Sequence, residues 1–181
     1  LSVAAPAASA NGQCGSCWAF GTAPGASSKP VGSTDFRVNY SVARAMLGAG
    51  VGLYGGDPAG GTLIDPGRFA MEVPVSKLAG GVASHEGTLT FIRGDASYLR
   101  SVVLSDIVLD FGKKKGTARV YATDTNLGKQ TVFTLAHVKN SSGMYTYTIK
   151  LSATGATALN SSLNVTVFSA GMRIGSGMTM T

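Results

Sequence analysis

The sequence predicts an all-β domain: an antiparallel β-sandwich or barrel-like fold with one or two short helices and an extended N-terminal arm. Three observations carry this. The stretch Thr88 to Val138 reads as four strands joined by short polar turns. Within it, Asp106-Ile107-Val108-Leu109-Asp110-Phe111 sends Ile107, Leu109 and Phe111 to one face and both aspartates to the other, the period-2 pattern of a half-buried strand. Residues 1 to 34, by contrast, are dominated by Ala, Ser, Gly and Pro and hold no period, so they read as an arm or tail ahead of a β-rich domain over 35 to 181.

Taken in order, Asp35 to Leu47 predicts a strand at Phe36, Val38 and Tyr40, then a short helix through Ser41 to Leu47. Gly48 to Gly61 is a glycine-rich loop around Tyr54. Arg68 to Val75 alternates as a strand, and Pro74 demotes it to an edge position because proline cannot donate to a ladder. In the central stretch, Gly112 to Gly116 suits a hairpin connection with three solvated lysines. Strands follow at Thr117 to Ala122 and Gln130 to Val138, separated by a polar loop over Thr123 to Gly128. A meander is the simplest pairing. Met144 to Ser152 is a further strand, Thr154 to Leu163 a short helix, and Asn164 to Phe168 with Met172 to Thr181 close the domain. An antiparallel sheet of this kind has one wet and one dry face, and the rest of the chain must cover the dry one.

The length of 181 residues suits one domain with a sizeable core. Charged residues make up 13%, about half the roughly 25% of an average soluble domain. A surface poor in charge and rich in Gly, Ser, Thr and Ala points to an extracellular or cell-surface protein, and Leu1 to Ala10 resembles the end of a processed leader. No run approaches the roughly 18 apolar residues of a membrane helix. The net charge of +6 is scattered apart from Lys113 to Lys115, which reads as a solvated turn; a nucleic-acid surface needs a denser stripe with aromatic platforms. Sequons at Asn39, Asn140, Asn160 and Asn164 permit glycosylation.

Organised chemistry is sparse. Asn11-Gly12-Gln13-Cys14-Gly15-Ser16-Cys17-Trp18-Ala19-Phe20 resembles the active-site segment of papain-like cysteine proteases, with Cys17 in the place of the nucleophile and Gln13 in that of the oxyanion-hole donor. That chemistry needs a thiolate at a helix N-terminus paired with an imidazole. Gly21, Pro24 and Gly25 would cut such a helix short, and the window where the family keeps its histidine, about 147 to 167, has none. The expectation is therefore not an enzyme, with Cys14 and Cys17 in a tight disulfide or paired with a neighbouring chain. His85 and His137 are the only histidines, and no metal-binding cluster is visible. Asp106 and Asp110 lie about 13 Å apart along their strand, too far for a shared metal or a glycosidase pair. His137 reads as structural or solvent-facing, and Tyr40 as a core aromatic more readily than a ligand.

The run His85-Glu86-Gly87-Thr88-Leu89-Thr90-Phe91, then Leu104 to Leu109, and the ending from Ala158-Leu159-Asn160 to Ile174-Gly175 resemble the Htaa-type domains of actinobacterial surface proteins, over about Phe36 to Thr181. The resemblance implies a secreted β-rich domain. Some members bind haem through a tyrosine supported by a histidine. Phe36-Arg37-Val38-Asn39-Tyr40 is similar to the early Phe-Arg-x-Tyr stretch, which makes Tyr40 the candidate ligand and His85 its candidate support. The customary Trp-Gly is missing, and Arg93-Gly94 stand where the family's histidine lies. Two main readings follow. The first is a non-catalytic surface protein without cofactor that assembles with copies of itself into a filament or layer, its arm adding a strand to a neighbour's sheet. The alternative is a haem-binding surface domain using Tyr40 and His85, and a cysteine protease is a remote third.

Overall fold

The computed structural model describes residues 29–65, 68–94 and 98–181. In chain order they form β1 (Gly32–Val38), α1 (Tyr40–Gly48), β2 (Val51–Gly56), β3 (Gly60–Asp65), β4 (Arg68–Ala79), β5 (Val82–His85), β6 (Thr88–Gly94), β7 (Leu99–Asp110), β8 (Lys115–Ala122), β9 (Thr125–Ser141), β10 (Met144–Leu151), α2 (Ala153–Leu163) and β11 (Arg173–Met180). The domain is all-β with two short helices. Most of the expected arm lies outside the described residues, but its last residues, Gly32 to Thr34, belong to β1.

Hydrogen bonding runs β7-β5-β4-β1-β11-β10-β9-β8, and β8 pairs back onto β7, so eight antiparallel strands close into a barrel. Of the two expected architectures, the structure takes the barrel. The central stretch is the expected meander, β6 to β9 pairing in sequence. Ile107, Leu109 and Phe111 point inward as the alternation requires. Two strands lie outside the ring on one side, β6 on β7 and β2 on β6, and β3 extends from β4. This wing exists because β7 and β4 each change neighbours halfway. The first half of β7 pairs β6 and its last residues pair β5; the switch coincides with a bulge where Asp106 takes φ 48°.

Pro74 sits at the matching switch on β4 and is not on an edge strand, as its type had predicted. β4 is an interior strand between β1 and β5. Its pairing to β3 ends at Glu72 and its pairing to β5 begins at Val75. The Val75 carbonyl faces β1, where it accepts from Val31 N, so Pro74 faces the other way, and its own carbonyl accepts from Glu86 N. The missing N–H therefore falls in the gap between two partners, where no donor is needed.

Two further expectations are corrected. Gly48 to Gly61 is not a loop: β2 and the start of β3 occupy it, since pairing to β6 and β4 outweighs the poor strand propensity of glycine. Thr123 to Gly128 is also mostly strand. β9 starts at Thr125, and Gly128 at φ 76° follows a bulge opposite Val120 and Tyr121. Closure also leaves little free edge. Among the described strands only β2 and β3, six residues each, have no strand neighbour at all along one side; every other strand has a neighbour on both sides for at least part of its length.

Candidate functional site

α1 begins where β1 leaves the barrel. Asn39 is its N-cap, its side-chain oxygen accepting from Ser41 N at 3.0 Å. Val42, Ala43 and Met46 face the core, which leaves Tyr40, Arg44 and Leu47 on one outward stripe at helical spacing. Tyr40 is 45% exposed, and the Arg44 guanidinium carbon lies 5.9 Å from its ring centroid. Tyr40 is thus neither a strand residue nor a core aromatic. It presents a phenol at the surface with a cation held against it.

His85 lies elsewhere. It points into the barrel at 7% exposure as part of a buried polar row. Its Nδ1 is 3.1 Å from the Ile107 carbonyl and its Nε2 2.7 Å from Thr34 Oγ1; Thr34 Oγ1 is 2.6 Å from Thr179 Oγ1, which is 2.8 Å from the Tyr147 hydroxyl. A carbonyl only accepts, so Nδ1 carries the proton and Nε2 is the acceptor. With one proton per hydroxyl, this orients the row: Tyr147 donates to Thr179, Thr179 to Thr34, Thr34 to His85, His85 to Ile107. Burial pushes the imidazole down to about 4, against the opposing effect of the Ile107 carbonyl. Burial likewise pushes the Tyr147 phenol up to about 12. Both groups are neutral. Tyr147 has room because Gly177 opposes it: a Cβ there would lie 2.3 Å from the tyrosine ring. Beside the row is a cavity of about 30 Å³ lined by Thr34, Phe36, His85, Ile107, Phe133 and Tyr147 among others.

The structure does not bring Tyr40 and His85 together. His85 bonds Thr34 near the start of β1 and pairs Val75 at the level of Gly32, whereas Tyr40 follows the other end of that strand. Thr34 to Val38 alone spans about 13 Å. Arg93, at the position where the Htaa resemblance expects a histidine, donates from Nη1 to the carbonyls of Leu163 and Asn164 at the C-terminus of α2. It satisfies orphan helix carbonyls and carries charge of the sign the helix end favours. His137 is exposed at a bulge of β9, with φ 51°. No cluster of three or more His, Cys, Asp or Glu suited to a metal occurs among the described residues. The Asn160 amide is engaged at both ends with Phe168, donating to its carbonyl at 2.7 Å and accepting from its N–H at 3.1 Å, so that sequon serves the fold. Thr34, Thr179 and Tyr147 escaped the sequence reading. Their only signal was a hydroxyl at an inward position of an alternating strand.

No protein-family model and no curated protein matches the sequence. Solved structures do match the fold. The N-terminal domain of HtaA from Corynebacterium glutamicum superposes with a TM-score of 0.55 at 14% identity, over 85% of this chain and 99% of that one. The C-terminal domain of HtaA gives 0.52 at 17%, over 84% and 97%. The heme binding protein HtaB from the same organism gives 0.51 at 15%, over 82% and 92%. The filament, self-assembly and disulfide expectations are corrected here. The fold is that of these single domains, the barrel is closed, and no disulfide occurs among the described residues; Cys14 and Cys17 both lie outside them. The chain has the Htaa-type fold.

Proposed function

We propose that the chain is a non-catalytic haem-binding domain of the cell surface, with Tyr40 as the iron ligand. The observation that carries the reading is the half-exposed Tyr40 phenol, with Arg44 against it, on the fold shared with the heme binding protein HtaB. Among the described residues, the barrel interior and the outer stripe of α1 differ in whether they fit the group. The barrel interior does not: its cavity of about 30 Å³ compares with the roughly 300–1,000 Å³ of small-molecule pockets, and both ring nitrogens of His85 are engaged. The outer stripe of α1 does. A phenol oxygen is an established donor for haem iron, a guanidinium suits a propionate carboxylate, and Leu47 adds apolar surface two turns along the helix. When bound, haem supplies an iron centre and a flat apolar ring. The chain's part is to hold and orient the group through Tyr40 and Arg44. His85 has no part in this site; its role is in the barrel core.

Titration of the full chain with haemin, followed in the Soret region, tests this. The expected result is saturable binding that Tyr40→Phe reduces at least tenfold with an unchanged circular dichroism spectrum, while His85→Gln leaves the affinity within about twofold. Undiminished binding by the folded Tyr40→Phe protein overturns the assignment.

A further inference from the structure

The net charge of this chain comes from its C-terminal part. From Gly112 to Thr181 there are eight lysines and arginines and a single acid, Asp124, whereas seven bases meet eight acids in the residues before. That basic half folds into β8, β9, β10 and β11, four consecutive neighbours in the sheet. An asymmetry along the sequence becomes an asymmetry in space. Alternation sends Lys115, Arg119, Lys129, Lys139, Lys150 and Arg173 outward from this wall, and register aligns Lys115, Thr134, Lys150 and Arg173 in one row across all four strands. At about 4.8 Å between strands the row is about 14 Å long.

Lys115 faces Asp110 across β7 and β8, but the rest of the row is not neutralised from within. Asp110 pairs with Lys113 at 3.5 Å and Asp106 with Arg119 at 3.3 Å, but among the described residues no ion pair involves Lys129, Lys139, Lys150 or Arg173. Lys150 and Arg173 stand directly opposite each other, an arrangement of like charges that works against folding. α2 starts three residues after Lys150 with no acid in its first turn, so its positive end adds to the same potential.

We propose that this wall docks a linear anionic polysaccharide. The cations stand from about 5 Å apart, at Lys150 and Arg173, to about 13 Å, at Lys115 and Arg119, on a convex surface, which a flexible chain can follow and a flat bilayer cannot. Between them stand the hydroxyls of Thr131, Thr134, Thr148 and Ser176, suited to sugars rather than to stacked bases or inserted lipid.

The test uses the full chain and heparin as the probe, at low and at physiological salt. The wall variant is Lys115→Gln/Lys150→Gln/Arg173→Gln; the control, Lys29→Gln/Lys77→Gln/Arg100→Gln, removes the same net charge elsewhere. Affinity is expected to fall at least tenfold in the wall variant and less than twofold in the control, with a shallower salt dependence for the wall variant only. Equal weakening of the two variants, or no heparin binding at low salt, overturns the proposal. So does tighter, wall-dependent binding to phosphatidylglycerol vesicles or to single-stranded DNA than to heparin. Haemin titration of the wall variant is expected to be unchanged, which separates this inference from the assignment of Tyr40.

Discussion

Burying an imidazole and a phenol inside an apolar barrel is affordable here because every proton has an acceptor. The His85 row consists of short hydrogen bonds among groups that are almost wholly inaccessible, and removing one member strands its neighbours. Thr179→Val, close to isosteric, is expected to cost about 1–3 kcal/mol, measured by urea unfolding; a change within about 0.5 kcal/mol would mean the row is not a stabilising network. His85 also makes stability depend on pH. Its folded value, about 4, lies below the ordinary 6.5, so between the two the unfolded chain takes up a proton that the folded chain refuses. The contribution is complete above about pH 6.5 and is lost as the pH falls to about 4, on the order of 3 kcal/mol. Unfolding measured between pH 7 and pH 4 is expected to show this slope, and His85→Gln to flatten it.

At the scale of elements, the helices are held by specific side chains more than by their own propensity. α2 is capped by Ser152 at one end, which accepts from Gly155 N at 2.9 Å, and by Asn164 in the left-handed region with Arg93 at the other. Arg93→Met is expected to destabilise by about 1.5–3 kcal/mol, the range for hydrogen bonds from a charged donor. Faster amide exchange at the C-terminus of α2 would accompany it; unchanged protection there would show that packing alone docks the helix. Strand pairing carries a different tension. Because Lys150 and Arg173 face each other across β10 and β11, Lys150→Thr is expected to raise stability by a few tenths of a kcal/mol. A loss of stability would mean that the lysine stem's apolar contacts outweigh its charge.

At the scale of the molecule, closure is the decisive event. β1 and β11, from the two ends of the described chain, are neighbours in the ring, with Ser33 opposite Met180. The last strand therefore joins two walls made by distant parts of the sequence, a topology that folds slowly because loop entropy is lost before the contacts form. Deleting Arg173 to Thr181 is expected to open the barrel along β1 and β10, replacing a cooperative melt with a broad one and producing aggregates on gel filtration. A sharp transition in the truncated chain would show that the remaining strands close on their own.

The local elements were legible in the residues: the meander from β6 to β9, a strand followed by a helix between Asp35 and Leu47, the second helix, and the inward set Ile107, Leu109 and Phe111 follow from period and turn residues, which act over a few positions. Tyr40 could be named as a candidate by resemblance, but its exposure could not, because a helix begins at the residue that strand alternation had included. His85 was visible only as a histidine; the carbonyl and three hydroxyls around it come from β1, β7, β10 and β11. Pro74 was misjudged because whether its missing donor matters depends on which strand lies beside it. β2 was missed because its support is β6, more than thirty residues away. Sequence alone thus determined which segments extend or coil, since those preferences are local. Tertiary structure decided closure of the barrel, the buried polar row and the separation of Tyr40 from His85, since each depends on strands that meet only when the ring is complete.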